Sequence, residues 1–300
     1  MPERERATIA AELQPGFTIL APRIVRSPFV FCSPHSGRVY PKAFLAGSRL
    51  DAQALRKSED CYVDELFSTV AELGAPLIAA RFPRAYIDVN REPYELDPEL
   101  FDEPLPPFAN TQSMRVVGGL GTIARIVADS EEIYRDRLSV AAALERIDRL
   151  YKPFHAGLAG LLDDARRRFG IAILIDCHSM PSASAGQPHA ARPDFVLGDR
   201  FGVACDGKLT RDLKERLSKA GFAVHINRPY AGGFITEHYG RPTRGFHALQ
   251  IEVNRALYMD EVSFERTQNF AALRLELARV MGRLLVDLPK VLGGRAAAAE

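Results

Sequence analysis

The sequence predicts an α/β protein in which a sheet lies between layers of helices, and two observations carry that prediction. Short apolar runs bounded by turn-forming residues alternate along the chain with longer segments of helical periodicity. Of the 300 residues 47% are apolar, enough to bury a sizeable core in a chain of this length.

The elements follow in order. The first 24 residues read as an N-terminal extension, charged from the outset as MPERERATIAAEL and without the apolar core of a signal peptide. The run at 29–32, with two phenylalanines and a valine, reads as a buried strand. Val63, Leu66, Phe67 and Val70 recur at spacings of three and four and predict a helix over 60–73. A strand at 76–80 follows. Residues 82–91, if extended, place Arg84, Tyr86 and Asp88 on one face. Residues 93–108, rich in proline and acids, predict an extended surface loop. The segment 133–168 reads as one long helix or a pair, with Leu144, Ile147, Leu150 and Leu158 on one face and arginines on the other. Strands at 171–175, 222–225 and 249–253 and helices over 208–220 and 264–286 complete the pattern. Small and polar residues at 292–300 predict a frayed tail. With no internal repeat and no Gly- or Ser-rich linker, 1–300 reads as one domain.

Composition narrows the function. Lys plus Arg total 39 against 38 for Asp plus Glu, so no global positive field recommends nucleic acid as a partner. No apolar stretch is long enough to span a bilayer. The four cysteines form no CxxC pair and no tight disulfide framework, and Cys32 and Cys177, set in apolar runs, read as small buried thiols. A soluble, cytoplasmic protein with neither a nucleic-acid nor a membrane partner is the expectation.

Four polar clusters are where chemistry can sit. The strand read as AILIDCHSM ends in Asp176, Cys177, His178 and Ser179, and in α/β sheets ligands gather at the carboxyl ends of strands. His178 suits a metal ligand or general base, with Asp176 fixing its ring; the plain alternative is a capped turn. The first strand ends in Ser33-Pro34-His35-Ser36-Gly37, so a second histidine projects from a strand end. Two imidazoles and a carboxylate would make the three-ligand set that catalytic zinc usually takes. Ser58-Glu59-Asp60 offers that carboxylate, although an N-cap role for Asp60 is equally open. The third cluster, Arg84 to Arg91, carries guanidiniums whose planar forks suit a carboxylate substrate, with Asp88 and Asn90 beside Arg91. A structural ion pair is the alternative. In the fourth, Gln250, Glu252 and Asn254 share one face of a strand, and burial should raise the Glu252 pKa toward the range of a general base or acid. The segment before it, Tyr230 to Gly240, pairs two adjacent glycines with the polar tips of Tyr230, Thr236, His238 and Tyr239. It is open to a substrate-covering role that composition alone does not establish, and it is no phosphate loop, since no GKS or GKT follows.

Taken together, these segments resemble the N-formylglutamate amidohydrolase family. The matching stretches are SPHSG with YP at 33–41, SEDCYVDELF at 58–67, FPRAYIDVNR at 82–91, IDCHSMPS at 175–182, and PYAGGFITEHYGRP through GFHALQIEVNR at 229–255. The resemblance implies a three-layer α/β/α fold with a mixed central sheet, of the zinc carboxypeptidase, phosphorylase/hydrolase-like type. It implies one zinc ion held by His35, Asp60 and His178, Glu252 as general base, and Arg84 as oxyanion stabiliser. Asn90 and Arg91 would grip the substrate α-carboxylate, while Tyr230, Gly232 and Gly233 would line the side-chain pocket. One departure stands out. The superfamily's usual His-x-x-Glu metal motif is missing, since Ser36, Gly37 and Arg38 follow His35. The carboxylate ligand must then come from elsewhere, with Asp60 preferred over Glu59 and Asp64.

The implied reaction is hydrolysis of N-formyl-L-glutamate to formate and glutamate, late in histidine breakdown. The neighbouring alternatives are a zinc amidohydrolase for another N-acyl amino acid or small peptide, and a non-catalytic carboxylate-binding protein. Histidine and carboxylate ligands would also accept other divalent metals.

Overall fold

In the computed structural model, which describes residues 2–127, 131–183 and 193–293, seven strands form one sheet among the described residues. They are β1 (Phe17–Leu20), β2 (Phe29–Ser33), β3 (Leu77–Ala80), β4 (Ala172–Met180), β5 (Phe195–Gly198), β6 (Val224–Ile226) and β7 (Phe246–Asn254). Their order across the sheet is β1-β3-β2-β4-β7-β5-β6. β4 runs parallel to both β2 and β7, whereas β5 is antiparallel to β7, so the sheet is mixed and the fold class is α/β. The tail beyond residue 293 lies outside the described residues.

The chain groups into two compact units. One comprises Ile19–Ser33, Tyr62–Ile78 and Leu158–Glu300. Its centre is the pair β4 and β7, nine residues each and buried along almost their full length. Strands covered on both faces read as continuous apolar runs, which is why AILI and ALQI carry so little alternation. Helices α4 (Val63–Leu66) and α9 (Phe234–Tyr239) pack on β4, and α9 also on β7. Helix α8 (Gly207–Lys219) packs against α10 (Phe270–Val291). Leu209, Leu213 and Leu217 of α8 and Leu273, Leu277, Met281 and Leu284 of α10 are buried stripes at helical spacing.

The other unit comprises Met1–Thr18, Pro34–Cys61 and Ala79–Gly157. It holds α1 (Pro2–Glu12), α2 (Lys42–Gly47), α3 (Ala52–Arg56), α5 (Met114–Val117) and α6 (Val140–Arg146), and α6 continues through a π-helical turn at Ile147–Tyr151 into α7 (Lys152–Phe169). The buried Arg146 is its polar centre. Its Nε donates to Glu5 of α1 at 2.7 Å, and its Nη1 to the Tyr134 hydroxyl at 2.9 Å and the Tyr86 carbonyl at 3.2 Å. The guanidinium lies over the Tyr86 ring, 4.0 Å from its centroid, and the Tyr86 hydroxyl donates to Glu5.

Several expectations are corrected. The segment 60–73 is not one helix: Tyr62, at a left-handed φ of 64°, delays the start of α4 to Val63, and after Leu66 the chain continues as a 3₁₀ turn at Ser68–Ala71. The same four apolar side chains are buried nonetheless. The strand expected at 171–175 runs on to Met180, since β7 keeps pairing it through the polar residues as far as Asn254, whereas β2 pairs it only as far as Asp176. Residues 82–91 form turns rather than a strand, with the Tyr86 and Ile87 amides both donating to the Pro83 carbonyl. The loop at 93–108 is not simply superficial. Leu96, Leu100 and Phe101 are buried, and buried Asp97 accepts from Arg125 at 2.7 Å. The N-terminal extension contains a helix that composition did not announce.

Candidate metal centre and active site

The peptide that follows β2 carries His35 on a tightly placed turn. A Cβ on Gly37 would lie 2.0 Å from the Phe82 carbonyl oxygen, so only glycine lets the two segments approach. The Asp60 amide donates to the His35 carbonyl at 2.9 Å, which brings the 58–61 turn against the histidine. Asp60 is not a helix cap, because α4 begins after Tyr62.

Asp88 organises this cluster. Its Oδ1 accepts from His35 Nε2 at 2.7 Å and from the Asn90 amide at 2.8 Å. Its Oδ2 accepts from Arg84 Nε at 2.9 Å and lies 3.6 Å from the Arg91 guanidinium. Burial alone would raise the Asp88 pKa, but Arg91, Arg84 and His35 together hold it well below the usual carboxylate range. Donation from Nε2 assigns the His35 tautomer and leaves Nδ1 as the nitrogen with an in-plane lone pair. Nδ1 lies 3.5 Å from Asp60 Oδ2. Two ligand atoms bound tetrahedrally to one ion at about 2.0–2.1 Å would sit about 3.3–3.4 Å apart, close to that spacing.

Arg91 is buried and directed by the backbone. Its Nε donates to the Leu120 carbonyl at 2.8 Å and its Nη1 to the Asn90 carbonyl at 2.9 Å. Burial lowers its pKa to about 10, so it is still charged at neutral pH.

On β4 and β7 the register does the positioning. Asp176 pairs with Gln250 and His178 with Glu252, so four polar side chains stand together near the carboxyl ends of two parallel strands. His178 Nε2 lies 3.0 Å from Asp176 Oδ1, and Asp176 Oδ2 accepts from the Thr236 hydroxyl at 3.2 Å. Gln250 Nε2 donates to Glu252 Oε1 at 2.8 Å, and its Oε1 accepts from the Gly233 amide at 2.7 Å. The half-buried Tyr230 and Gly232 lie just before Gly233 in the same loop.

His35, Asp60 and His178 are all buried, and each offers one ligand atom, these lying within 4.8 Å of one another. Two imidazoles and one carboxylate fit a divalent metal of the zinc type. Of the three carboxylates weighed in the sequence it is Asp60 that joins this group. Glu59 instead accepts from Arg56 Nε and from the Tyr40 hydroxyl, both at 3.2 Å. Asp64 sits in the first turn of α4. Two partners escaped the sequence reading: Asp88 as the carboxylate behind His35, and Gln250 as the amide behind Glu252. The first had a signal in the sequence, a carboxylate two residues before Asn90-Arg91, read only as a partner for Arg91.

A sequence model of the N-formylglutamate amidohydrolase family matches residues 27–259, most of the chain. The chain belongs to this family. N-formylglutamate deformylases of Pseudomonas aeruginosa and Pseudomonas putida are similar to it, at 31% and 29% identity over 239 residues. Each alignment covers 79% of this chain, and 84% and 83% of the relatives respectively. The crystal structure of an N-formylglutamate amidohydrolase from Ralstonia eutropha JMP134 superposes with a TM-score of 0.85 at 35% identity, covering 93% of this chain and 98% of that one. A gene product of Agrobacterium tumefaciens, at 17% identity and a TM-score of 0.60, shares the fold. Membership of the N-formylglutamate amidohydrolase family makes the protein a hydrolase. Among the described residues no helix is long and apolar enough to cross a membrane.

Proposed function

We propose that the protein hydrolyses the amide bond of N-formyl-L-glutamate to formate and L-glutamate, with one zinc ion held by His35, Asp60 and His178. The observation that carries the reading is the convergence of those three buried ligands in a chain whose relatives include two N-formylglutamate deformylases. Bound there, zinc would supply polarisation of the formyl carbonyl and a lowered pKa for the attacking water. Glu252 takes the proton from that water and hands it to the leaving amine. Arg84 faces the oxygen on which charge develops, as a donor already charged and anchored by Asp88. Asn90 and Arg91 hold the substrate α-carboxylate, and the backbone contacts of Arg91 fix the direction of its fork. Tyr230, Gly232 and Gly233 line the side-chain pocket. The reading carries a small-molecule partner and a cytoplasmic place late in histidine breakdown, where the family resemblance puts this reaction.

The test is metal analysis of the purified protein paired with formate release from N-formyl-L-glutamate before and after chelation. Zinc near one equivalent, with turnover lost on chelation and restored by zinc, is the expected result. Bound metal without formate release would move the substrate to another N-acyl amino acid. Failure to retain metal under zinc-replete conditions would overturn the ligand set.

A further inference from the structure

We propose that Gln250 is a positioning residue that ties the Gly232-Gly233 loop to the carboxylate of Glu252. The inference rests on the reading of Glu252 as the general base and adds to it the group that aims that base. Both side chains project from the same face of β7, two residues apart, and both are buried.

The orientation of the Gln250 amide is determined by what surrounds it. The Gly233 N–H is a donor, so it must meet the carbonyl oxygen, and the contact is 2.7 Å. The Glu252 carboxylate is an acceptor when ionised, so it must meet the amide nitrogen, and that contact is 2.8 Å. Rotating the amide by half a turn would set donor against donor and acceptor against acceptor. Gln250 therefore joins the loop and the base in one sense only.

The loop is held from its other side as well. The Arg200 amide donates to the Ala231 carbonyl at 2.7 Å. The Arg200 guanidinium pairs with Glu237 at 2.6 Å and reaches the Gly232 carbonyl at 3.4 Å. A Cβ on Gly198, at the end of β5, would lie 2.6 Å from the Gly232 nitrogen, so strand and loop touch backbone to backbone. Glycine at 232 adopts a φ of 113°, closed to other residues, and the chain then turns into α9. With Gly232 seated against β5 and Gly233 against Gln250, the placement of the loop sets the angle at which an amide N–H meets the Glu252 carboxylate. That donor is aimed at a charged acceptor in a buried site, where such a bond is strongest.

The decisive experiment compares Gln250→Met, which keeps the length and packing of the side chain without donor or acceptor, with Glu252→Gln. Formate release from N-formyl-L-glutamate is read as separate kcat and KM values. Exchange of the Gly233 amide hydrogen in metal-free protein supplies a readout independent of turnover. Gln250→Met should lower kcat by about tenfold to a hundredfold, the range carried by a hydrogen bond to a charged group, with KM changed by less than about threefold. The Gly233 amide should exchange faster, while melting temperature and metal content report an intact fold. Should the methionine variant not fold, Gln250→Asn, which keeps the amide on a shorter stem, is expected to move kcat and Gly233 exchange in the same directions. Full kcat in a folded Gln250 variant, beside an inactive Glu252→Gln, would overturn the positioning role and leave the base standing. Undiminished turnover in Glu252→Gln would overturn the base, and the role of Gln250 with it.

Discussion

His35 and Asp88, 53 residues apart in the chain, meet at 2.7 Å through Nε2 and Oδ1. One carboxylate thereby orients a candidate metal ligand while its other oxygen holds Arg84 beside Arg91. A candidate metal ligand and the two arginines proposed to meet the substrate thus share a single anchor.

Replacing Asp88 should therefore damage two functions at once. Asp88→Asn is expected to weaken zinc binding by about tenfold to a hundredfold, the usual cost of removing a carboxylate behind a ligand histidine. It should also raise KM, because Arg84 and Arg91 lose their ionic partner. Competitive zinc titration and steady-state kinetics on the same variant measure the two effects. Metal affinity equal to that of the unmodified protein would contradict the first.

The neighbouring acids 59 and 60 should separate cleanly. Asp60→Ala is expected to lose bound metal, whereas Glu59→Ala should keep it and lose thermal stability, since Arg56 and Tyr40 both depend on Glu59. Metal content and melting temperature of the two variants decide the matter. Equal metal loss in both would mean that the 58–61 turn, and not one ligand, is what matters.

At Gly37 a single methyl group should be enough to disturb the site. Gly37→Ala puts a carbon 2.0 Å from the Phe82 carbonyl, so the His35 turn or the 82–91 turn has to move. Reduced stability together with weakened metal retention is expected, read by thermal melting and metal analysis. A variant as stable as the parent would show that the two segments can separate without consequence.

All four cysteines are buried thiols, not joined in disulfides. Burial pushes the thiols of Cys32 and Cys177 well up and that of Cys205 up to about 12. The native protein should therefore resist a thiol reagent at pH 8 and titrate four thiols once denatured. A raised folded-state pKa contributes stability that is fully present below the unfolded value, near 9, and is lost as pH climbs toward 12. Replacing Cys205 with Ala should make the alkaline decline shallower between those limits, as followed by denaturant unfolding. Identical slopes would exclude any contribution from this thiol.

What could be read from the chain was whatever is local or periodic. The buried strands 29–32 and 76–80, the α8 stripe and the polar ends of β4 and β7 depend on residues near one another, and their positions were legible. The short strands β1 and β5 were not, because four residues in a sheet take their identity from distant neighbours. Asp60 could not be separated from Glu59 by pattern. The distinction lies in where each carboxylate points: Glu59 meets Arg56 and Tyr40, while Asp60 Oδ2 lies 3.5 Å from His35 Nδ1. The partnership of His35 with Asp88 was equally hidden, since no spacing rule links two turns half a hundred residues apart.

The Glu5–Arg146 contact bears on where this protein can be cut. The family model recognises residues 27–259, yet Glu5 lies outside that span and supplies the carboxylate for a guanidinium buried inside it. A chain trimmed to the recognised span would strand that positive charge in the interior, and removing one partner of a buried ion pair typically costs about 3–5 kcal/mol. The same guanidinium donates to the backbone of Tyr86, two residues before Asp88. The border of the family model and the border of a self-supporting polypeptide thus fall at different places, and the first helix belongs within the second.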